Sequence, residues 1–152
     1  METMLVQLLP DQVAKYWEQV KFAVQSSFPP TTVAEDVNLN KVLESLLSGS
    51  LVAWVSVDKE SRKIVAIVTT TIMEDACSST RNLLIYSLFG VSNIGKENWT
   101  DGYETLMKYA KSKGCRHLVG FTRVELIKKL AKFYGGDVEN TLISIDVNNF
   151  GK

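Results

Sequence analysis

The side chains best able to do chemistry fall in short clusters. Cys115 and His117 lie two residues apart, a spacing that puts both on one face of an extended strand. That is how an imidazole activates a thiol nucleophile. The same cysteine follows Gly114, a natural helix stop, and there it reads equally as a buried structural thiol. Glu74 and Asp75 end an apolar run. Either carboxylate has the chemistry to take a proton from an ammonium group, directly or through water, and the pair also fits a solvated turn. Tyr134 offers a phenol for proton donation or a ring for packing. Lys128, Lys129 and Lys132 give one helix a basic edge suited to phosphate or to solvent. None of these clusters brings a second member that fixes its role, so the sequence names no catalytic residue.

His117 is the only histidine, and the cysteines, Cys77 and Cys115, are far apart. We therefore expect no metal site and no disulfide. Cationic and anionic side chains balance at 17 each, which leaves no overall field for nucleic acid or an anionic membrane. The apolar runs are strand-length, well short of the ~20 residues of a membrane helix. Met1 to Pro10 lacks the basic-then-apolar order of a leader. The expectation is one cytoplasmic domain over residues 1–152, with neither a membrane nor a nucleic-acid partner.

The elements that must position these residues follow from periodicity. Leu5–Leu9 reads as a strand ended by Pro10. Asp11 then caps one helix whose stripe is Val13, Trp17, Val20 and Val24, ended by Phe28-Pro29-Pro30. A second helix over Asn38–Ser48 buries Leu39, Leu43, Leu46 and Leu47 and stops at Gly49. Leu51–Val57 and Ile64–Met73 form a hairpin, and Asn82–Val91 is a further strand. Asp101 and Glu104 have capping-box spacing, so a helix is expected from Asp101 to Lys113, ending at Gly114. His117–Phe121 is a strand. Thr122 and Glu125 form a second capping box for a helix ending at Gly135, and the alternation of Ile143, Ile145 and Val147 predicts a last strand over Thr141–Val147. The order βααβββαβαβ predicts an α/β fold. Its mixed, mostly antiparallel sheet has about six strands and helices on both faces, with Tyr86–Val91 and Leu118–Phe121 as parallel neighbours.

This order resembles the GNAT N-acetyltransferase superfamily, and in small size and divergence, though in no motif, the chain is similar to its small phage-encoded members. The likeness is carried by the strand Leu83–Val91, the helix segment Thr100–Cys115, and Lys128–Gly135 with its closing glycine. The resemblance implies acetyl-CoA as cofactor, held where the central strand splays from its parallel neighbour, and an amine of a small molecule or peptide as partner. It places the cofactor against Phe89, Gly90 and Val91 and against Trp99, Thr100, Asp101 and Gly102, where a helix N-terminus meets pyrophosphate. Two departures stand out. The loop Ser92–Gly102 lacks the family's glycine spacing and adds Glu97 and Asp101, only part offset by Lys96. The position of the family's tyrosine acid falls on Ala131, not on Tyr134. An acyltransferase, a non-catalytic binding or assembly module of the same fold, and an unrelated α/β domain all remain open. So does an oligomer formed through exposed strand edges.

Overall fold

The computed structural model describes residues 1–91 and 94–151. The chain divides into two compact units, Met1–Gly120 and the residues from Phe121 onward.

The first unit is an α/β layer structure. Its five-stranded sheet has the order β1-β2-β3-β4-β5, with β1 Thr3–Gln7, β2 Val52–Asp58, β3 Ile64–Glu74, β4 Arg81–Gly90 and β5 His117–Gly120. The first four strands pair antiparallel, and β5 joins β4 in parallel. One face carries helices α1 Pro10–Lys15, α2 Trp17–Gln25 and α3 Leu39–Ser48, and the other carries α4 Lys96–Ser112. Val13, Val20, Ala23, Val24 and Leu46 meet Ala53, Val55 and Ile67 on the first face. Val20 and Val24 are wholly buried, each worth about 1.5–3 kcal/mol by area removed from water. On the second face Leu5, Trp54, Val68 and Leu106 form a smaller core. Trp54 meets the Tyr109 ring edge-on at 4.9 Å and donates from Nε1 to Thr70 Oγ1 at 3.0 Å. Strand alternation sends Ala53 and Val55 one way and Trp54 the other, so the two cores share one set of strands.

Several boundaries differ from the sequence expectation. The first helix is two, α1 and α2, broken at Tyr16 (φ −108°, ψ 16°). The apolar spacing runs on across the break, which is why the sequence reads as one helix. Asp11 is not the cap: Leu9 precedes the helix, and its backbone N–H donates to Gln12 Oε1 at 2.9 Å. In α3 the Asn38 side chain accepts from Asn40 N–H, and Gly49 ends the helix with φ 84°. Leu47, placed in the buried stripe, is 48% exposed.

α4 starts at Lys96 with Gly95 as its cap, ahead of Asp101. The Asn98 and Trp99 amides already bond to the Gly95 carbonyl. Half-buried Trp99 and Tyr103 lie upstream of Leu106 and extend the packed face in that direction, and packing outweighs the local capping signal.

In the second unit α5 spans Glu125–Phe133 and closes at Gly135 (φ 84°). Gly136 bonds to the Ala131 carbonyl, and a Cβ there would lie 2.9 Å from that oxygen, so only glycine fits. The second capping box does not form. Thr122 Oγ1 accepts instead from Val124 N–H, a turn ahead of the helix. The strand expected over Thr141–Val147 is also absent: residues 141–146 carry no regular element, and a 3-10 turn spans Val147–Asn149. The sheet accordingly has five strands among the described residues, not six. Alternation specifies two faces, but a strand also needs a partner edge to bond.

Candidate functional site

β4 is paired differently along its two halves. Asn82–Ile85 pairs with β3 on one side and with His117–Gly120 of β5 on the other. β5 ends opposite Ile85, so Tyr86–Gly90 keeps β3 but has no β5 partner. The two strands are the parallel neighbours that the sequence predicts, joined through α4. Their paired stretch, however, is the first half of β4 rather than Tyr86–Val91. At the change-over Thr69 opposes Ser87 and Thr70 opposes Ile85. Tyr86 is thus the extra residue of a β-bulge, the device that bends a strand and leaves a backbone group unpaired.

The bulge is locked from below. The hydroxyls of Thr69 and Ser87, both buried, bond to each other, and Tyr86 Oη bonds to Thr32 Oγ1 at 2.9 Å. Phe89 and Gly90 pair with Ile67 and Ala66 at the end of the strand. The exposed Val91 donates its N–H to the Val65 carbonyl at 2.8 Å. Of the three residues expected to line a cofactor, Phe89 and Gly90 therefore lie in the half of β4 that β5 leaves free, and Val91 directly follows it.

The four residues expected to hold phosphate are placed otherwise. Trp99, Thr100, Asp101 and Gly102 sit within α4, where backbone N–H groups serve the helix ladder. The N–H groups at the helix start belong to Lys96 and Glu97, next to Gly95. Ser92 and Asn93, in the same expected loop, lie outside the described residues. Glu97 is in the first turn, so a carboxylate already occupies the field an anion would seek.

One side chain at this helix start escaped the sequence reading. Asn98 Oδ1 accepts from Thr3 N–H at 3.0 Å, and its Nδ2 donates to the Met1 carbonyl at 3.0 Å. A side-chain amide thereby imitates a neighbouring strand and ties the first residues of the chain to the first turn of α4. Asparagine early in a helix usually signals a cap, so no sequence pattern points to this use.

The reactive side chains gather at the other end of the sheet. Glu74 ends β3 opposite Arg81, the first residue of β4. The exposed Asp75 carboxylate accepts from Ser78 N–H and Oγ–H, both at 2.9 Å, and from Cys77 N–H at 3.1 Å. The Ser78 backbone bond, followed by its hydroxyl and the Cys77 amide, lowers the Asp75 pKa. It is a turn-forming acid. His117 opens β5, and its Nδ1 lies 2.9 Å from Asn82 Oδ1. Cys115 is half-buried, and its N–H bonds to the Ala110 carbonyl. At ~3.3 Å per residue, β4 carries these groups roughly 15 Å or more from its free half. A hollow of about 210 Å³ near this end is lined by Ser50, Thr70, Thr71, Leu83 and Tyr109. Burial raises the Tyr109 pKa, and that phenol is the only titratable group there. In the second unit Tyr134 follows α5, its ring edge-on to Phe133. Among the described residues, no three His, Cys, Asp or Glu side chains converge as metal ligands, and no helix is long and apolar enough to cross a membrane.

The sequence matches no family profile and no curated protein. Solved structures do match it along nearly its whole length. A predicted acetyltransferase from Clostridium acetobutylicum, solved with acetyl-CoA, has a TM-score of 0.69 at 12% identity, covering 99% of each chain. An aminoglycoside N-acetyltransferase in complex with CoA has a TM-score of 0.67 at 14% identity, covering 95% of this chain and 94% of its own. Glucosamine-6-phosphate N-acetyltransferase from Arabidopsis thaliana has a TM-score of 0.63 at 18% identity, covering 97% of this chain and 99% of its own. The chain has the fold that these acetyltransferases share.

Proposed function

We propose that this protein is an acyl-CoA N-acyltransferase of the GNAT type, moving acetyl from acetyl-CoA to the amine of a small molecule or peptide. The observation that carries the proposal is the half-paired β4: a bulge at Tyr86, a strand edge free of β5 from there to Gly90, and a long helix beginning shortly after. Acetyl-CoA, when bound, supplies a thioester whose carbonyl carbon an amine attacks.

The residues present fit that group in part. The strand edge from Tyr86 to Gly90, with Val91, suits an extended amide-bearing arm, since it offers backbone groups in a row. The backbone freed by the bulge suits the thioester carbonyl, where a fixed donor is worth most as charge develops. Phosphate would meet the amides of Gly95, Lys96 and Glu97 instead of those at Thr100–Gly102, and the space around the Gly95 Cβ position is open. Trp99 flanks this turn. Glu97 opposes the phosphate.

The second reading, a non-catalytic binding or assembly protein, is favoured by one observation. Tyr86 is the only titratable side chain between Tyr86 and Gly90, so this stretch supplies no carboxylate or imidazole to deprotonate an amine. We place either protein in the cytoplasm as one domain over residues 1–152. The phage-encoded subtype rests on small size and the divergent loop.

Titration with coenzyme A, followed by amide NMR and calorimetry, tests the proposal. Shifts centred on Tyr86–Val91 and Gly95–Asn98, with acetyl transfer to an amine panel, are expected. Binding without transfer would favour the non-catalytic reading, and silence at millimolar ligand would reject the cofactor altogether.

A further inference from the structure

The residues that open α4 have little packing of their own. Gly95, the cap, has no side chain, and nothing lies within 4 Å of its Cβ position. Lys96 and Glu97 are exposed. Asn98 supplies the anchor. Its backbone N–H donates to the Gly95 carbonyl at 3.0 Å and closes the turn. Its side chain accepts from Thr3 N–H at 3.0 Å and donates to the Met1 carbonyl at 3.0 Å. β1 is the first strand in the sheet order, so these bonds fall on its outer edge and replace those of a neighbouring strand. One residue thus connects the cap of α4 to the sheet.

A second group works against the same contact. Thr3 is 2% exposed, and among the described residues its hydroxyl has no hydrogen-bond partner. Strand alternation puts it on the face of Leu5, which shares a core with Leu106 of α4. The junction of β1 and α4 therefore buries a hydroxyl that water would satisfy if the turn moved away.

We propose that Asn98 is a positioning residue for the coenzyme: it holds the amides of Gly95, Lys96 and Glu97 where phosphate meets them, against the opposing cost of the Thr3 hydroxyl. The inference rests on the acyltransferase reading above. The Asn98 side chain is committed to β1, so it acts through the turn and not on the ligand. Amides that already converge on an anion bind it better than amides ordered by it, because ordering is subtracted from affinity. The coupling runs both ways, so a ligand on these amides also steadies Asn98 and, through it, Thr3 N–H. Pantetheine, which lacks the phosphates of coenzyme A, meets only the β4 edge and has no such effect.

Amide exchange in the free protein is the first test. Asn98→Leu, which removes both side-chain bonds, should speed exchange of the Thr3 amide. Asn98→Asp, which keeps the acceptor, should restore its protection. Thr3→Val, which removes the unpartnered hydroxyl at nearly the same volume, should protect the amide at that position further.

Titration with coenzyme A and with pantetheine, read by amide NMR, is the second. Asn98→Leu should weaken coenzyme A about tenfold, as when the competent arrangement falls to a tenth of its population, and leave pantetheine unchanged. Thr3→Val should tighten coenzyme A. Coenzyme A, and not pantetheine, should slow Thr3 amide exchange in wild type. Equal losses for both ligands would mark Asn98 as merely structural. Unchanged coenzyme A affinity, or a Thr3 amide no better protected in wild type than in Asn98→Leu, would remove it from the site. Each of these overturns the proposal and leaves the acyltransferase reading standing. A wild type that binds neither ligand would overturn that reading itself, and this inference with it.

Discussion

The two halves of β4 are built on different principles. From Asn82 to Ile85 the strand is paired on both sides, and around its start stand the side chains that invite a catalytic reading: Glu74, Asp75, Cys115 and His117. From Tyr86 to Gly90 it is paired on one side only, with a bulge, buried hydroxyls behind it and almost no ionisable group. Side-chain chemistry and open geometry have been separated by the length of a strand. A site in the open half must work with backbone donors and shape. The reactive groups of the closed half are spent on a turn, a strand start and a pairing contact.

The largest expected difference between the halves is in stability. Ser87→Ala leaves the wholly buried Thr69 hydroxyl without its partner, a loss of about 1–3 kcal/mol. His117→Ala removes an exposed ring with one side-chain contact, and should stay within about 0.5 kcal/mol. Denaturant midpoints measure both. Equal losses would mean that the bulge is not the more tightly specified of the two halves.

Much of this architecture is legible in the sequence because it rests on periodicity. Val13, Val20 and Val24, the alternation around Trp54, and Gly49 and Gly135 with positive φ all report their own surroundings. The failures share a cause. The Asp101–Glu104 pair has the right local spacing, but the helix start is set by what Trp99 and Tyr103 pack against. Thr141–Val147 has the right alternation, but among the described residues no strand pairs with it. Tyr86 is the clearest case for the site, because a bulge is a mismatch of register between two strands and neither strand alone encodes it. Family likeness, and no local pattern, points to Phe89 and Gly90 on the open half and to Val91 just beyond it. Trp99 to Gly102 would face an anion only if the helix began near Asp101, and it begins at Lys96.

A smaller effect should separate the halves in ligand binding. If phosphate meets the start of α4, Glu97→Lys exchanges a repelling for an attracting charge, and coenzyme A should bind about 2–5-fold tighter, the range expected from ~0.3–1 kcal/mol of helix-terminus electrostatics. His117→Ala should leave that affinity unchanged. Calorimetry at fixed salt reads both. An affinity that ignores Glu97 and falls with His117 would move the site to the closed half.

The smallest effect concerns Asp75 and acid. Its carboxylate is held by Ser78 and Cys77, which lowers its pKa below the ordinary 3.8. A carboxyl whose pKa is lower folded than unfolded adds stability at pH above its unfolded value. That stability is lost as pH falls through the folded value, because the protonated acid no longer accepts the same bonds. Asp75→Asn mimics the uncharged state at every pH. The gap in denaturant midpoint between wild type and Asp75→Asn should therefore be widest near neutral pH and close on the acid side. Because the group is fully exposed, solvent screens it and the gap stays small. Asp58, held chiefly by Glu60 N–H in the β2–β3 turn, should follow the same sign. Coenzyme A affinity should not respond to Asp75→Asn at any pH. A gap that widens in acid would contradict the turn-forming role. A change in affinity would couple the two ends of β4, and the division between a closed, side-chain-rich half and an open, backbone-built half would no longer hold.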